Sequence, residues 1–352
     1  MAEATTTPRT GLSSRETSAR RPRPSAARLA PGLALAAGIL ALVLLLSVAV
    51  GTYYVPLPRV WQALVDPGTS YADTVVQSRI PRTVLGLLAG AALAVSGVIV
   101  QGLTRNPLGD PGLLGVNVGA AAAIVTGIAF FDVGTGSERV WLALPGALVA
   151  VVAVYALGSS RRGTTPVKLV LAGAVITAIL SAYIQAITLT HPNAFNSYRF
   201  WVLGSLAGRD AQLIGQTLPY LVAGFALAAL LPGSLNALAL GDDTATSLGA
   251  KVGRTRILGG LAAALLCAGA TAAVGPIAFI GLAVPHIVRS FTGGDHRWLL
   301  PFSALLGPAM LLLADIVGRV IASPQELEVG VVTAFLGAPV LLWAVRRIRG
   351  RE

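Results

Sequence analysis

Few side chains in this sequence have the chemistry for a reaction or for moving charge inside an apolar core. Asp315 is the one carboxylate deep within an apolar run, and Arg319 follows it by four residues, the spacing at which helical side chains can pair. The three histidines, His191, His286 and His296, lie too far apart in sequence to indicate a metal site. A proton relay usually needs more than one buried ionisable group, so these residues do not predict one.

Motifs for nucleotide binding and for hydrolysis are absent from the sequence. It contains no GxxxxGK[ST] phosphate loop, no HExxH zinc motif and no serine or cysteine nucleophile motif. The single cysteine, Cys267, lies in an apolar run and cannot form an intrachain disulfide. We therefore expect a protein that is not an enzyme and that has no metal site and no cofactor.

The composition is that of a membrane protein. Of the 352 residues, 55% are hydrophobic and only 12% are charged, and the mean hydropathy is +0.75. We predict an all-α polytopic membrane domain over residues 29–349, preceded by a disordered basic tail over residues 1–28. Ten apolar runs are predicted to cross the bilayer, near 29–51, 83–103, 112–131, 140–158, 167–190, 211–231, 257–274, 276–292, 299–318 and 329–345.

The basic residues are distributed unevenly between the connections of these ten spans. Of the 26 Lys and Arg residues, nineteen fall on the side of the N-terminal tail and seven on the other side. Cytoplasmic loops carry the excess of Lys and Arg in membrane proteins, so we predict that both termini are cytoplasmic. The net charge of +11 then reflects topology and contact with lipid headgroups, and it does not indicate nucleic-acid binding.

Three connections or spans have unusual composition. The two long outside connections, 52–78 and 191–208, are rich in aromatic residues, which favours short amphipathic helices at the membrane surface. The eighth span, 276–292, is short and contains glycine and proline. Interrupted helices of this kind can line a transport path, and a simple packing kink is an equal explanation.

The stretch 79–120 reads as two apolar runs joined by a polar turn. It opens with a charged cap, 79–82, and its turn, 104–111, contains two prolines. Small residues recur at every fourth position of both runs, which favours close helix packing inside lipid. Gln101 and Asn117 are amides at membrane depth, so we expect them to face protein or water. A hairpin that lines a pathway with a gate at its turn is one interpretation, and two packed spans with a tight loop is the other.

A polar segment between the sixth and seventh spans, 238–253, predicts a short helix on the inner surface. Asp242 or Asp243 is expected to cap this helix, which would run to Leu248 and end at Gly249. Ala245 and Leu248 would give the helix a small apolar face suited to a soluble partner. A structured turn with no partner is the alternative.

Several long motifs of this sequence resemble one family, the permease subunits of type II ABC importers for ferric siderophores, haem and cobalamin. The similarity runs from residue 29 to 349 and agrees with ten spans. The motifs that carry it are RIPR at 79–82, SGVIVQGLTRNPLGDPGLLGVNVGA at 96–120, LALGDDTATSLGAKVG at 238–253, GPIAFIGLAVPHIVR at 275–289, DHRWLLPFSALLGP at 295–308, LLLADIVGR at 311–319 and ELEVGVVTAFLGAPVLLW at 326–343.

The resemblance implies a dimer of two permease chains in a bacterial inner or plasma membrane. Two cytoplasmic ATPase subunits and an extracytoplasmic substrate-binding protein would complete the importer. Arg79 and Arg319 match the family's outer arginines that bind glutamates of the binding protein. Asn106 and Leu108 match its cytoplasmic gate, and Gly241–Gly253 match the coupling helices that contact the ATPase.

The resemblance leaves several points open. A second gate element would fall near 165–167, where Pro166 departs from the family pattern, and the tail 1–28 has no counterpart. Ferric siderophore is the expected substrate, with haem and cobalamin as alternatives, and the second permease chain could be identical or related. A secondary transporter driven by an ion gradient is a further alternative, but it requires more intramembrane ionisable groups than Asp315 and would not need the 238–253 helix.

Overall fold

The computed structural model describes residues 26–66, 68–134, 136–158 and 166–349, and the regular secondary structure of these ranges is helical throughout, which confirms the all-α class. The helices are α1 Ala26–Ala49, α2 Leu57–Val65, α3 Tyr71–Thr104, α4 Val116–Phe131, α5 Gly136–Gly158, α6 Pro166–Thr190, α7 Pro192–Trp201, α8 Gln212–Ala229, α9 Pro232–Leu238, α10 Asp242–Ser247, α11 Val252–Val274, α12 Ile280–Thr292, α13 His296–Ile321 and α14 Val329–Arg349, with a 3-10 turn at Pro111–Leu114.

Seven of these helices are long and apolar enough to cross a membrane: α1, α3, α5, α6, α8, α11 and α13. Of the other three predicted spans, α4 and the Val329–Leu342 part of α14 are shorter apolar helices, and α12 has only 13 residues. Each predicted apolar run therefore coincides with a helix, while the count of ten spans and the cytoplasmic termini stay predictions. Residues 1–25 of the predicted tail lie outside the described ranges, and α1 begins at Ala26.

The helices pack around α3, α11 and α13, which each have more buried residues than any other helix for which burial is described. Glycines let backbones meet in this core. A Cβ atom at Gly97 of α3 would overlap the carbonyl oxygen of Gly281 in α12, and one at Gly119 of α4 would clash with the backbone of Gly146 in α5. Close backbone contact of this kind supplies dispersion energy between helices in lipid, where the hydrophobic effect gives little.

Helix α3 is longer than the sequence analysis predicts. It has 34 residues and begins at Tyr71, because Ser70 and Asp73 form a capping box in which each side chain accepts a hydrogen bond from the other residue's backbone N–H. The RIPR motif at 79–82 thus lies inside the helix with Pro81 in its interior, and the expectation that this motif is a cap before the span is wrong.

The short helices follow their predictions more closely. Helix α2 lies within the 52–78 connection and buries Val60 and Ala63, while α7 lies within 191–208 and buries Trp201. The eighth span is interrupted as predicted, since α12 begins at Ile280 and residues 275–279 before it are not helical.

The length of α3 separates two groups of polar residues. At about 1.5 Å per residue, its 34 residues extend roughly 50 Å. Arg79, Arg82 and Arg319 lie near the beginning of α3, and we call this end of the molecule the arginine end. Residues 105–110 and α10 lie beyond the last residue of α3, and we call this end the turn end.

Candidate functional site

Arg79 is bound to the C-terminal end of α1. Its Nη1 donates to the carbonyl oxygens of Val48 at 2.9 Å and Ala49 at 3.1 Å, and its Nη2 donates to the carbonyl oxygen of Tyr53 at 2.7 Å. The last carbonyls of a helix have no partners within the helix, and they carry its partial negative charge. The guanidinium of Arg79 therefore satisfies these acceptors and holds the end of α1 against α3.

Arg319 is bound in the same region through a second set of contacts. Its Nη1 donates to the carbonyl oxygen of Ser47 at 2.9 Å, and its Nη2 lies 3.1 Å from Oδ2 of Asp315. The predicted i,i+4 pair of Asp315 and Arg319 is thus present. Ser47 also bonds to Thr83 through their hydroxyl groups at 2.8 Å, which links α1 to α3 a second time.

Asp315 has a second arginine partner, Arg82 of α3. The Nε and Nη2 of Arg82 both donate to the carboxylate, with Nη2 at 2.7 Å from Oδ1. The remaining Nη1 of Arg82 donates to Oε2 of Glu326 at 2.6 Å. One buried carboxylate thus binds two guanidiniums, and Arg82 connects it to a carboxylate that is open to solvent.

This geometry bears directly on the predicted docking residues. Arg79 and Arg319 are only 6% and 1% exposed, and their Nη1 and Nη2 atoms are hydrogen-bonded within the chain. Docking of a partner by Arg79 and Arg319 stays a prediction. A carboxylate that reached them would have to displace the carbonyls of α1 or the carboxylate of Asp315.

A cavity of about 420 Å³ opens at the arginine end. Three arginines, Arg79, Arg82 and Arg209, line it together with the carboxylates of Asp210 and Glu326. Burial lowers the pKa of Arg209, an effect that the nearby carboxylate of Glu328 partly offsets. With three arginines against two carboxylates, the cavity is basic. The exposed carboxylate that binds Arg82 is Glu326 of this same chain.

The 105–110 turn is built by Arg105 and Asn106. Arg105 ends α3 in the left-handed region at φ 52, and its N–H donates back to the carbonyl oxygens of Gln101 and Gly102. The side-chain oxygen of Asn106 accepts from the N–H of Leu108 at 2.9 Å, and its carbonyl oxygen accepts from Gly109. Asn106 thereby fixes the position of Leu108, which is partly exposed next to Leu282 of α12 and Gly337 of α14.

Asp110 ends this turn and starts the following 3-10 turn. Its carboxylate accepts from the N–H of Gly112 at 2.7 Å. Burial raises the pKa of Asp110 above the ordinary value, and the hydrogen bond from Gly112 acts in the opposite direction.

Gln101 and Asn117 both face protein, as expected of amides at membrane depth. Gln101 is buried, and its Nε2 donates to the carbonyl oxygen of Gly281 at 3.3 Å. Asn117 accepts from the hydroxyl of Thr271 at 2.9 Å and lines a cavity of about 720 Å³ between α4, α6, α7 and α14. The polar side chains that line this cavity carry only uncharged groups, mainly amides and hydroxyls, and the aromatic rings of Trp201 and Phe335 also line it.

The 238–253 segment forms the predicted short helix, α10, with two corrections. Its N-cap is Gly241 at φ 104, and neither Asp242 nor Asp243 caps it, because both lie in its first turn. Ala245 is 0% exposed and faces the chain's own interior, whereas Leu248 is 66% exposed. The predicted exposed apolar face shared by Ala245 and Leu248 is therefore wrong, since Ala245 is buried within the chain and only Leu248 is exposed.

The end of α10 follows its prediction. Gly249 comes directly after the C-cap residue Leu248 and adopts φ 81, a conformation that glycine reaches at little cost. The exposed part of this segment at the turn end comprises Asp243, Thr244, Thr246 and Ser247, followed by Leu248.

Asp242 forms ion pairs that sequence reasoning missed. Its Oδ1 lies 3.1 Å from Nη2 of Arg105, and its Oδ2 lies 2.8 Å from Nη2 of Arg256. Arg82, Glu326 and Arg105 were likewise without assigned roles in the sequence. These pairs join residues from 14 to 244 positions apart, and no local pattern indicates such contacts.

The described part of the chain contains no group of three or more His, Cys, Asp and Glu side chains that could hold a metal ion. The polar groups at both ends form ion pairs and helix-end contacts, and the large cavity between them is uncharged. This arrangement suits a protein whose ends bind partners and whose interior passes a solute.

Comparison with known proteins assigns this architecture to a family. The model of the FecCD transport family matches residues 39–347. The ferric enterobactin transport system permease protein FepD of Escherichia coli K12 is 49% identical over 320 residues, covering 90% of this chain and 94% of FepD. The probable siderophore transport system permease protein YfiZ of Bacillus subtilis 168 is 38% identical over 311 residues, covering 87% of this chain and 93% of YfiZ.

A solved structure agrees with these relatives. It is an inward-facing conformation of an ABC transporter of the metal-chelate type, which superimposes with a TM-score of 0.78 at 26% sequence identity. The superposition covers 92% of this chain and 99% of that chain, so nearly the whole chain has a counterpart in it.

Proposed function

Because the chain belongs to the FecCD transport family, we propose that it is the permease subunit through which an ABC importer moves a ferric siderophore into the cytoplasm. It is a multi-pass transport subunit of a bacterial cell membrane, and a separate ATPase subunit hydrolyses the ATP. The observation that supports a ferric siderophore as the substrate is the 49% identity, over 90% of this chain, to a permease named for ferric enterobactin.

The large cavity supports a bulky, multiply hydrogen-bonded substrate. Its volume of about 720 Å³ lies within the range of small-molecule sites, and its polar lining is uncharged. Amide and hydroxyl groups offer weak, reversible contacts, which let a solute enter and leave. Haem and cobalamin are the other substrates to be tested.

The partners follow from the importer class. A permease of an ABC importer works with ATPase subunits, with a substrate-binding protein and with a second permease chain. We propose that the second chain, identical or related, covers the faces of α6 and α14 that border the large cavity. Exposed apolar side chains on these faces, such as Phe335 of α14, would then enclose the pathway.

The charge distribution supports an orientation with both termini in the cytoplasm. In that orientation the arginine end lies outside and the turn end lies inside. We propose that Asn106 and Leu108 form the inner gate, since Asn106 holds the position of Leu108 and an apolar side chain can close a narrow pathway by excluding water. Asn117 would line the pathway above the gate, and Gln101 would hold α3 against α12.

The docking of the binding protein is proposed for the basic cavity at the arginine end. Arg79 and Arg319 would act from behind the surface by holding α1, α3 and α13 together, and they would add positive potential. Arg82 would meet the partner's carboxylate first, because one of its three hydrogen-bonding nitrogens is held only by Glu326, a carboxylate open to solvent. Docking would then be an exchange of Glu326 for a carboxylate of the partner.

If a carboxylate of the partner replaces Glu326 at Arg82, then Glu326→Gln should strengthen docking. We expect the substrate-binding protein to bind roughly two- to fivefold more tightly, the range of an exposed ion pair, because Nη1 of Arg82 no longer has a charged partner within the chain. Binding can be measured by surface plasmon resonance on the permease complex in nanodiscs. Asp210→Asn removes the same charge from the same cavity and is the control. An equal gain in both variants would mean a general effect of charge and would reject the exchange.

The proposed function predicts uptake that depends on ATP and on the binding protein. Vesicles that contain this chain with its ATPase should accumulate a radiolabelled ferric siderophore. ATP is supplied on the side of the ATPase, and the loaded binding protein is supplied on the opposite side. Parallel assays with haem and cobalamin decide the substrate. Uptake that continues without ATP, driven by a proton or sodium gradient, would identify a secondary transporter and contradict the proposal.

A further inference from the structure

Asp242 lies between two arginines that come from different parts of the chain. Its Oδ1 is 3.1 Å from Nη2 of Arg105, and its Oδ2 is 2.8 Å from Nη2 of Arg256. The carboxylate therefore uses both of its oxygens in charged contacts, and it does so from the first residue of α10.

The two arginines belong to different helices, since Arg105 ends α3 and Arg256 lies within α11. Arg105 is the last residue before Asn106, and its backbone is held at φ 52 by its two hydrogen bonds to the end of α3. Arg256 lies in the second turn of α11 and is largely buried. One side chain of α10 thus contacts both the residue that precedes the proposed gate and the helix in the centre of the bundle.

The backbone around Asp242 permits this contact. Gly241 adopts φ 104, a conformation that side-chain-bearing residues rarely take, and Nη1 of Arg105 lies 3.8 Å from the place of its missing Cβ. The guanidinium of Arg105 therefore packs over the start of α10 while its Nη2 bonds to Asp242. Beyond this ion pair, Leu248 is at the opposite end of α10 and is open to a partner.

We propose that Asp242 is a positioning residue that transmits movement of α10 to the gate turn through Arg105. The inference rests on the proposed function, with its gate at residues 106–108, and on the ATPase contact that the family resemblance implies for α10. A displacement of α10 by the ATPase moves the Asp242 carboxylate, and Arg105 carries that movement directly into Asn106. The Arg105 pair is partly exposed and individually weak, which suits a contact that rearranges in every transport cycle.

The test compares the substrate imported with the ATP hydrolysed. In vesicles that contain the full importer, Asp242→Asn and Arg105→Gln should each lower the ratio of ferric siderophore imported to ATP consumed by about threefold or more. The double variant should be no worse than the more affected single variant, because each single variant already removes the contact between Asp242 and Arg105. Arg105→Lys should restore part of the ratio. Arg254→Gln, which removes an exposed arginine two residues before Arg256, is the control and should retain the wild-type ratio.

Three outcomes of this assay overturn the proposal while leaving the proposed function intact. The first is a wild-type ratio in both single variants. The second is an equal loss of ATP hydrolysis and import, which would place Asp242 in the ATPase contact. The third is a double variant whose loss is the product of the two single losses, which would mean that the residues act independently.

A second measurement does not depend on the substrate. Cys267 is buried and can be replaced by serine, so that Leu108→Cys provides a single thiol at the proposed gate. Trapping a nucleotide on the ATPase should change the rate at which a maleimide labels this thiol, and Asp242→Asn should abolish the change. A labelling change that persists with Asp242→Asn overturns the linkage, and so does a rate that is unaffected by nucleotide when Asp242 is present.

Discussion

Replacing Asp315 with asparagine is expected to lower the free energy of unfolding by about 3–5 kcal/mol, the usual cost of removing one partner from a buried ion pair. Asp315 is 1% exposed and is the carboxylate partner of both Arg82 and Arg319. Asparagine keeps the shape of the side chain and one acceptor oxygen, but it removes the charge. Two guanidiniums would then remain at a site with little access to water.

The measurement is the midpoint of thermal unfolding in detergent, followed by intrinsic tryptophan fluorescence. Asp210→Asn is the matched control, because Asp210 is an exposed carboxylate at the same end whose oxygen accepts from the N–H of Gln212, a bond that asparagine can keep. A midpoint for Asp315→Asn as high as that of Asp210→Asn would show that the buried network does not hold the helices together.

A double-mutant comparison separates the two arginines. Arg82→Gln should destabilise the wild type strongly but add little to Asp315→Asn, because the charge pair is already lost. Arg319→Gln should add a further loss, since the carbonyl oxygen of Ser47 at the end of α1 would also lose its donor. This pattern would establish that Arg319 joins α1 to the network, a role separate from docking.

The sequence predicts the parts of this network that are local. Asp315 and Arg319 are four residues apart on one helix, so their pair can be read from spacing alone. The contact of Arg82 with Asp315 joins residues 233 positions apart, and its contact with Glu326 joins residues 244 positions apart. Pairing at such separation depends on how α3 and α13 pack, which periodicity does not determine.

The same limit explains the start of α3. The charges at 79–82 and the proline between them indicate a helix boundary in an isolated sequence. In the folded chain, α1 and α13 supply partners for all the arginines of this motif, so the helix continues through it and begins at its capping box. The Ser70 to Asp73 spacing was a readable local signal of that earlier start.

The orientation of a very short helix is also beyond sequence reasoning. In α10 both Ala245 and Leu248 are apolar and three residues apart, which predicts a shared face. The helix has only six residues, and Leu248 is already its C-cap, where the backbone leaves the helical path. The side chain of Leu248 therefore points to solvent, and Ala245 points to the interior.

This correction determines which variant can test the contact with the ATPase. Ala245→Arg would force a charged side chain into the chain's own interior, and Gly249→Trp would strain a residue at φ 81. Either variant could lose activity by misfolding. Leu248 is exposed, so its replacement should leave the fold of this chain unaffected while changing the surface that α10 presents.

Leu248→Asp is therefore expected to abolish substrate-stimulated ATP hydrolysis by the assembled importer. Burying a leucine contributes about 1.5–3 kcal/mol to an interface, and an unpaired carboxylate at the same place adds a desolvation cost. A loss of about 2 kcal/mol lowers affinity roughly thirtyfold, so the ATPase should no longer co-purify with this chain. Co-purification from detergent and ATP hydrolysis in vesicles are the two measurements.

The control is Leu64→Asp, which adds the same charge to an exposed leucine of α2 at the opposite end of the molecule. It should leave association with the ATPase unchanged, and both variants should unfold at the wild-type temperature. If Leu248→Asp retains the ATPase and full stimulation, the exposed side of α10 is not the ATPase contact. The movement that Asp242 transmits to the gate would then have to begin elsewhere at the turn end, because Leu248 is the large apolar side chain that α10 itself offers to a partner.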